Sequence, residues 1–385
     1  MHELAASLTK SDGLVLGEIG AVLVGLGIAA FIASRIKFSV VPIFLCAGLF
    51  FGNGGIASLS LSDDFLSLGA QIGAILLLLL LGLEYSANEL VDSIRQRRSL
   101  GLIDAVANFA PGAIAGLIFG WGVTGALVLG GVTYVSSSGI ASQFIKDAAL
   151  SNFTSTKRAI SILVIEDLFL AVYLPIVSGI VASVGIATGF ISISIALVIT
   201  GLTLILAARG IHIPRASNVM GDTATLLLTV FGAALLASGL ATYIGFSGAV
   251  AAFLVGLLLT GDVAIVARVR LAPLRDLFAA IFFLFFGLQT NPADIPAVLT
   301  PALILAAVGF GTKLITAWWA TKDLTDEPGA LMRSAALLNP RGEFSIVIAG
   351  LALETSFGEK LQAMTVTYII ATTIISSFII RAQKR

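Results

Sequence analysis

Long apolar runs recur along the whole chain, separated by short polar connections that hold most of the charge. A membrane-crossing helix needs about 20 mainly apolar residues. On that measure the sequence predicts thirteen spans, at 14–34, 38–53, 65–84, 99–121, 124–146, 156–183, 186–208, 221–243, 246–261, 276–291, 298–320, 332–354 and 360–381. The second and the ninth are short. The first run, Gly13 to Ile36, is too long for a cleaved signal and lacks its basic lead-in, so it reads as the first spanning helix.

Composition names the solvent. Hydrophobic residues make up 58% of the chain and charged residues 11%, and the mean hydropathy is +1.05. A soluble domain carries about 25% charged residues, so this surface faces lipid. The 40 glycines fit a membrane bundle, where small residues let backbones approach. A net charge of zero and the lack of a basic stripe give no sign of a nucleic-acid partner. The lone cysteine, Cys46, lies in an apolar stretch and is expected to be a small buried hydrophobe.

Basic residues then orient the spans. With the N-terminus outside, only Lys10 and Lys360 fall in outer loops, while Lys313 and Arg341 fall inside spans. Every other Lys and Arg lies in an inner loop, as the positive-inside rule requires. A missed or invented span would scramble that split from its position onward. The expected protein is thus a multi-pass inner-membrane chain with its N-terminus outside and its C-terminus in the cytoplasm. An odd count makes spans 1–6 begin outside and spans 8–13 begin inside. Two sextets of this kind, joined by a linker helix, are inverted repeats, a common plan of secondary transporters.

Several charges lie where lipid should forbid them. Glu166 and Asp167 follow Arg158 by eight and nine residues, which places them about 12–14 Å deep. Ionisable groups at such depth face the protein interior or an aqueous cavity. Neighbouring helical residues point about 100° apart, so the two acids are expected to serve different purposes. Lys313 lies at matching depth, nine residues before Lys322. One buried cation beside two buried anions leaves one carboxylate that prefers a proton or a bound cation to bare charge. Asp104, Glu84 and Glu18 are weaker candidates, and Asn108 and Gln71 read as packing contacts. Trp318 and Trp319 read as interfacial anchors.

Two spans carry helix breakers amid polar groups. The fifth reads Thr133-Tyr134-Val135-Ser136-Ser137-Ser138-Gly139, and the twelfth reads Leu338-Asn339-Pro340-Arg341-Gly342-Glu343. Each is fifth in its sextet. Unwound backbone at this depth is tolerated only against protein or water. Its carbonyls and the hydroxyls of Ser136, Ser137 and Ser138 are candidate ligands for an alkali cation, and Arg341 and Glu343 are candidates for charge compensation at the half-helix ends. His2 and His212 fall outside the spans, which leaves no histidine metal site. Neither a Walker loop nor a dinucleotide fingerprint occurs, so no cofactor is expected.

These residues resemble the Kef-like monovalent cation:proton antiporters of the Na/H-exchanger-fold superfamily. The likeness is carried by Leu80-Leu81-Gly82-Leu83-Glu84-Tyr85, Ser136–Ser138, Glu166-Asp167, Phe283-Leu284-Phe285-Phe286-Gly287-Leu288, Lys313 and Arg341-Gly342-Glu343-Phe344. The resemblance implies an all-α homodimer. Each protomer would have a dimerisation part (about 14–84 and 221–291) and a mobile core (about 99–183 and 298–381), with a linker helix at about 186–208. Broken helices would cross in the core beside Asp167, the family's ion-binding aspartate. Many Kef-like members carry a cytosolic nucleotide-binding domain after the last helix. Here the sequence stops at Arg385, which leaves a separate cytosolic regulatory subunit, no regulation, or a longer natural chain as the alternatives.

The expected function is exchange of K+, or Na+, for H+, with K+ favoured because the Kef-like segments match best. Sodium-coupled symport of an organic solute on the same inverted-repeat plan is the alternative. It would want a larger apolar pocket and would not need Lys313. A sensor or an intramembrane enzyme is a third class, and no nucleophile or metal constellation supports an enzyme.

Overall fold

The computed structural model describes residues 10–36, 38–52, 55, 63–84, 98–181, 202, 223–243, 247–259 and 261–383. Every regular element among them is helical: α1 (Lys10–Arg35), α2 (Val40–Phe51), α3 (Asp63–Glu84), α4 (Arg98–Ile118), α5 (Gly122–Tyr134), α6 (Ser138–Asp147), α7 (Thr154–Val181), α8 (Thr223–Tyr243), α9 (Gly248–Leu258), α10 (Gly261–Leu288), α11 (Ile295–Thr321), α12 (Ala330–Leu338), α13 (Glu343–Gly350) and α14 (Gly358–Ala382), with a 3-10 turn at Pro292–Asp294. Twelve of the thirteen expected spans coincide with these helices, two of them broken in the middle as α5–α6 and α12–α13. The expected linker at 186–208 lies outside the described residues. By length and composition, 9 described helices, α5–α6 counted as one, suffice to cross a membrane.

Two expectations are corrected. The helix expected to start at 276 starts at Gly261. Asp262, Arg268, Arg270 and Arg275 depress the local hydropathy, yet the backbone stays helical past the apolar stretch. Cys46 is exposed rather than buried. In a helix apolar all round, the sequence gives no phase to tell the lipid face from the protein face.

The densest packing forms two sets. In one, α3 lies along α9 and α10, α10 lies along α2, and α8 lies on α9. In the other, α4 lies on α5 and α11, α11 on α12 and α14, α12 on α7, and α13 on α5 and α14. Contacts of α9 with α7 and of α2 with α14 join the sets.

The inverted pairing is visible in the first set. Gly82 of α3 meets Gly256 of α9, and Gly48 of α2 meets Gly287 of α10. At all four positions an added Cβ would overlap backbone across the interface. Second and third helices of one sextet thus meet third and second of the other through the same close glycine contact. The two short helices match as well, since Ser39 caps the N-terminus of α2 and Ser247 that of α9.

At one end of the second set, a polar staple ties the start of α7 to the α11–α12 connection. Arg158 donates to both oxygens of Asp323, at 2.5 and 2.8 Å. Glu327 accepts from the Thr154 N–H at 2.9 Å, from the Ser155 hydroxyl and from Arg333 at 2.6 Å. The hydrogen bond from Arg158 lowers the Asp323 carboxyl to about 2. Its folded value lies below its unfolded one, so whatever it contributes to stability is present above the ordinary carboxylate range and fades as pH falls toward 2. It does not titrate near neutrality.

Candidate functional site

The two breaks cross and bond to each other. After Tyr134 the chain runs extended through Val135 and Ser137, and the Ser137 hydroxyl then caps α6 by accepting from the Ile140 N–H at 3.2 Å. After Leu338, Pro340 can supply no backbone donor, and Gly342 stands in an extended conformation before α13. Where the strands meet, the Ser137 N–H donates to the Pro340 carbonyl at 2.8 Å, and the Ser136 hydroxyl donates to the Leu338 carbonyl at 2.5 Å.

Four half-helix ends converge here, and their charges are matched. Arg341, 0% exposed, donates to the Thr133 carbonyl at the end of α5, at 2.6 and 3.0 Å. It also donates to Leu338 and Asn339 at the end of α12, at 3.1 and 2.6 Å. One guanidinium therefore covers both carbonyl ends. Glu343 begins α13, accepts from the Ser137 hydroxyl at 2.9 Å and lies against Gly139 in the first turn of α6, so one carboxylate serves both amide ends.

Beside the crossing lies a buried ionic cluster. Lys313 of α11 donates to Glu166 of α7 at 2.8 Å, as the matched depths suggest. It also donates to Asp104 of α4 at 3.0 Å. All three side chains are at most 1% exposed. Glu166 accepts further from the Ser136 N–H at 2.5 Å, which couples the cluster to the first break. Asp167 follows it on α7, 2% exposed. Two buried cations, Lys313 and Arg341, thus stand among four buried carboxylates, Asp104, Glu166, Asp167 and Glu343. A cluster of that sign has room for protons or a cation.

Sequence reasoning set Asp104 aside and took Asn108 for packing. In the structure Asp104 Oδ1 accepts from Lys313, from Asn108 Nδ2 at 2.9 Å and from the Thr316 hydroxyl at 2.9 Å, while Thr312 donates to Asn108 Oδ1 at 2.8 Å. The signal lay in spacing. Asp104 and Asn108 are one helical turn apart, and so are Thr312 and Thr316 around Lys313, which gives each apolar helix one polar stripe. Ser136 and Ser137 are 1% exposed and engaged with protein groups, and Ser138 opens α6 half-buried.

Two cavities lie between the packing sets. One, of about 330 Å³, is lined by Ser39, Gln143, Arg275, Asp276 and Phe283 and reaches Glu343. The other, of about 260 Å³, is lined by Gln71, Ser247, Gln289 and Gln362 and ends on Phe282 and Val347. Consecutive phenylalanines of α10, their rings 5.6 Å apart, line one cavity each, Phe283 the first and Phe282 the second.

Residues 19–382 match the family described as sodium/hydrogen exchanger, transmembrane. The chain belongs to that family. It is a multi-pass membrane cation/proton antiporter, and the match disfavours solute symport. Among its relatives, the K(+)/H(+) antiporter subunit KhtU of Bacillus subtilis is 29% identical, over 97% of this chain and 94% of its own. The ammonium/H(+) antiporter subunit AmhT of Alkalihalophilus pseudofirmus is 27% identical, over 94% of this chain and 91% of its own. The sodium proton antiporter MjNhaP1 of Methanocaldococcus jannaschii shares the fold, with a TM-score of 0.65 at 16% identity over 96% of both chains. The antiporter thus shares its fold with a solved exchanger.

Proposed function

We propose that the chain exchanges K+, with Na+ as the second candidate, for H+ by alternating access, and that Asp167 holds the proton in one half-cycle and the cation in the other. One observation carries this reading: a lipid-shielded cluster with more carboxylates than cations abuts a crossing of unwound helices. Glu166, held by Lys313, fixes the neighbouring charge, and Ser136–Ser138 shape the cation end. K+ is favoured because the 29% identical relative is named a K(+)/H(+) antiporter subunit. The 27% identical relative is named for ammonium, also a monovalent cation. Both names read "subunit", which supports a separate partner chain, and we propose that such a partner is cytosolic and regulatory. The two cavities, one lined by Phe283 and the other by Phe282, suit a core (α4–α7, α11–α14) moving against a dimerisation part (α1–α3, α8–α10) in a homodimer of the inner membrane.

The deciding assay uses proteoliposomes with an imposed pH gradient and an internal pH dye. KCl or NaCl should dissipate the gradient and choline chloride should not. No response to either salt would sink the reading. Within the same assay, replacing Ser137, Ser138 and Pro340 together by Ala should weaken apparent cation affinity roughly tenfold, about the worth of one lost hydrogen bond. An unchanged affinity would separate the crossing from cation binding.

Orientation has its own test. With Cys46 first replaced, a cysteine at Asp294 should react with an impermeant thiol reagent from outside, and one at Asp326 should not. The reverse pattern would invert the proposed topology.

A further inference from the structure

The geometry points to Asp104 as a second proton-carrying carboxylate of the antiporter, coupled to the cation site through Lys313. The inference rests on the exchange reading above. Asp104 is 0% exposed, and its two oxygens differ sharply. Oδ1 accepts three donors, from Lys313, Asn108 and Thr316. Oδ2 is buried and meets no donor among the described residues. An anion in this setting is solvated at one oxygen only, and a proton on Oδ2 removes the uncompensated charge while leaving the Oδ1 bonds in place.

The titratable groups facing Asp104 come from three helices: Lys313 from α11, Glu166 from α7, and Tyr134 from α5, whose ring lies 5.8 Å from the Lys313 ammonium. Lys313 is a single cation shared between two acids. With Glu166 ionised, the ammonium is already balanced and Asp104 is in excess, so Asp104 takes a proton. A cation arriving beside Glu166 adds positive charge, makes Asp104 the better anion and expels that proton from Oδ2 to water. The step moves one proton and no electrons. It raises the proton count by one per cycle above what Asp167 alone provides.

Infrared difference spectra of the purified full chain across a pH series test this directly. The wild type should show the carbonyl stretch of a protonated carboxylic acid that is missing from Asp104→Asn, and KCl or NaCl at fixed pH should diminish it where choline chloride does not. Retention of every such band in Asp104→Asn would overturn the assignment, and a band indifferent to both salts would overturn the coupling. Thr316→Val is the second variant. It strips one donor from Oδ1 and should shift the carbonyl stretch of the protonated acid to higher frequency, and an unmoved band counts against Asp104. Gradient dissipation by the wild type is scored separately in vesicles, so failure of exchange and failure of the Asp104 assignment are distinguishable.

Discussion

The Asp167→Asn protein is expected to insert and fold but to exchange no cation for protons. Asparagine keeps the volume and one acceptor oxygen, so the packing of a 2% exposed side chain is preserved. What it loses is the charge and the ability to ionise. Without a charge, a partly dehydrated alkali ion has no counter-ion at this depth, and without ionisation no proton can be taken up in the return half-cycle. Both halves fail together, and the expected residual rate is that of protein-free vesicles. Dissipation of an imposed pH gradient by KCl and NaCl measures it, with size-exclusion elution as the check on folding. Exchange above background in Asp167→Asn would remove Asp167 from the centre of the mechanism.

The largest stability effect belongs to Lys313→Gln. It leaves Asp104 and Glu166 without their shared cation, a change of about 3–5 kcal/mol for a broken buried pair. Glu166→Gln should cost less, because Lys313 keeps Asp104 at 3.0 Å. Combining Glu166→Gln with Lys313→Gln should bring the unfolding midpoint back most of the way, since Asp104 then holds a proton on Oδ2 and no orphan charge remains. Adding Asp104→Asn should change it little further. Thermal unfolding of the four variants in detergent decides. A double variant as unstable as Lys313→Gln alone would mean that Asp104 stays ionised in the cluster.

The place of Asp104 beside Lys313 shows where the sequence was sufficient and where it was not. Glu166, Asp167, Lys313 and both breaks were legible because each violates the transfer energetics of an otherwise apolar span, and a violation is a local signal. Asp104 violates the same rule, but its position near a predicted span end allowed an interfacial reading. Only its burial against α11 removes that choice. The roles of Arg341 and Glu343 at the half-helix ends followed from their placement in the break. Which carbonyls Arg341 would reach did not, since Thr133 is 208 positions away.

By itself the sequence determined the solvent, the rough limits of most apolar segments, the two helix breaks and most of the charges that must be buried. These are properties of single residues and short windows, fixed by the cost of moving side chains and peptide groups into hydrocarbon. Tertiary structure decided the partners. Lys313 meets Asp104 and Glu166 across 209 and 147 positions, and Gly82 meets Gly256 at backbone distance. Such meetings depend on how helices pack, and a polar stripe or a glycine marks a face of one helix without naming the helix it will meet. The same cause hid the outward phase of Cys46.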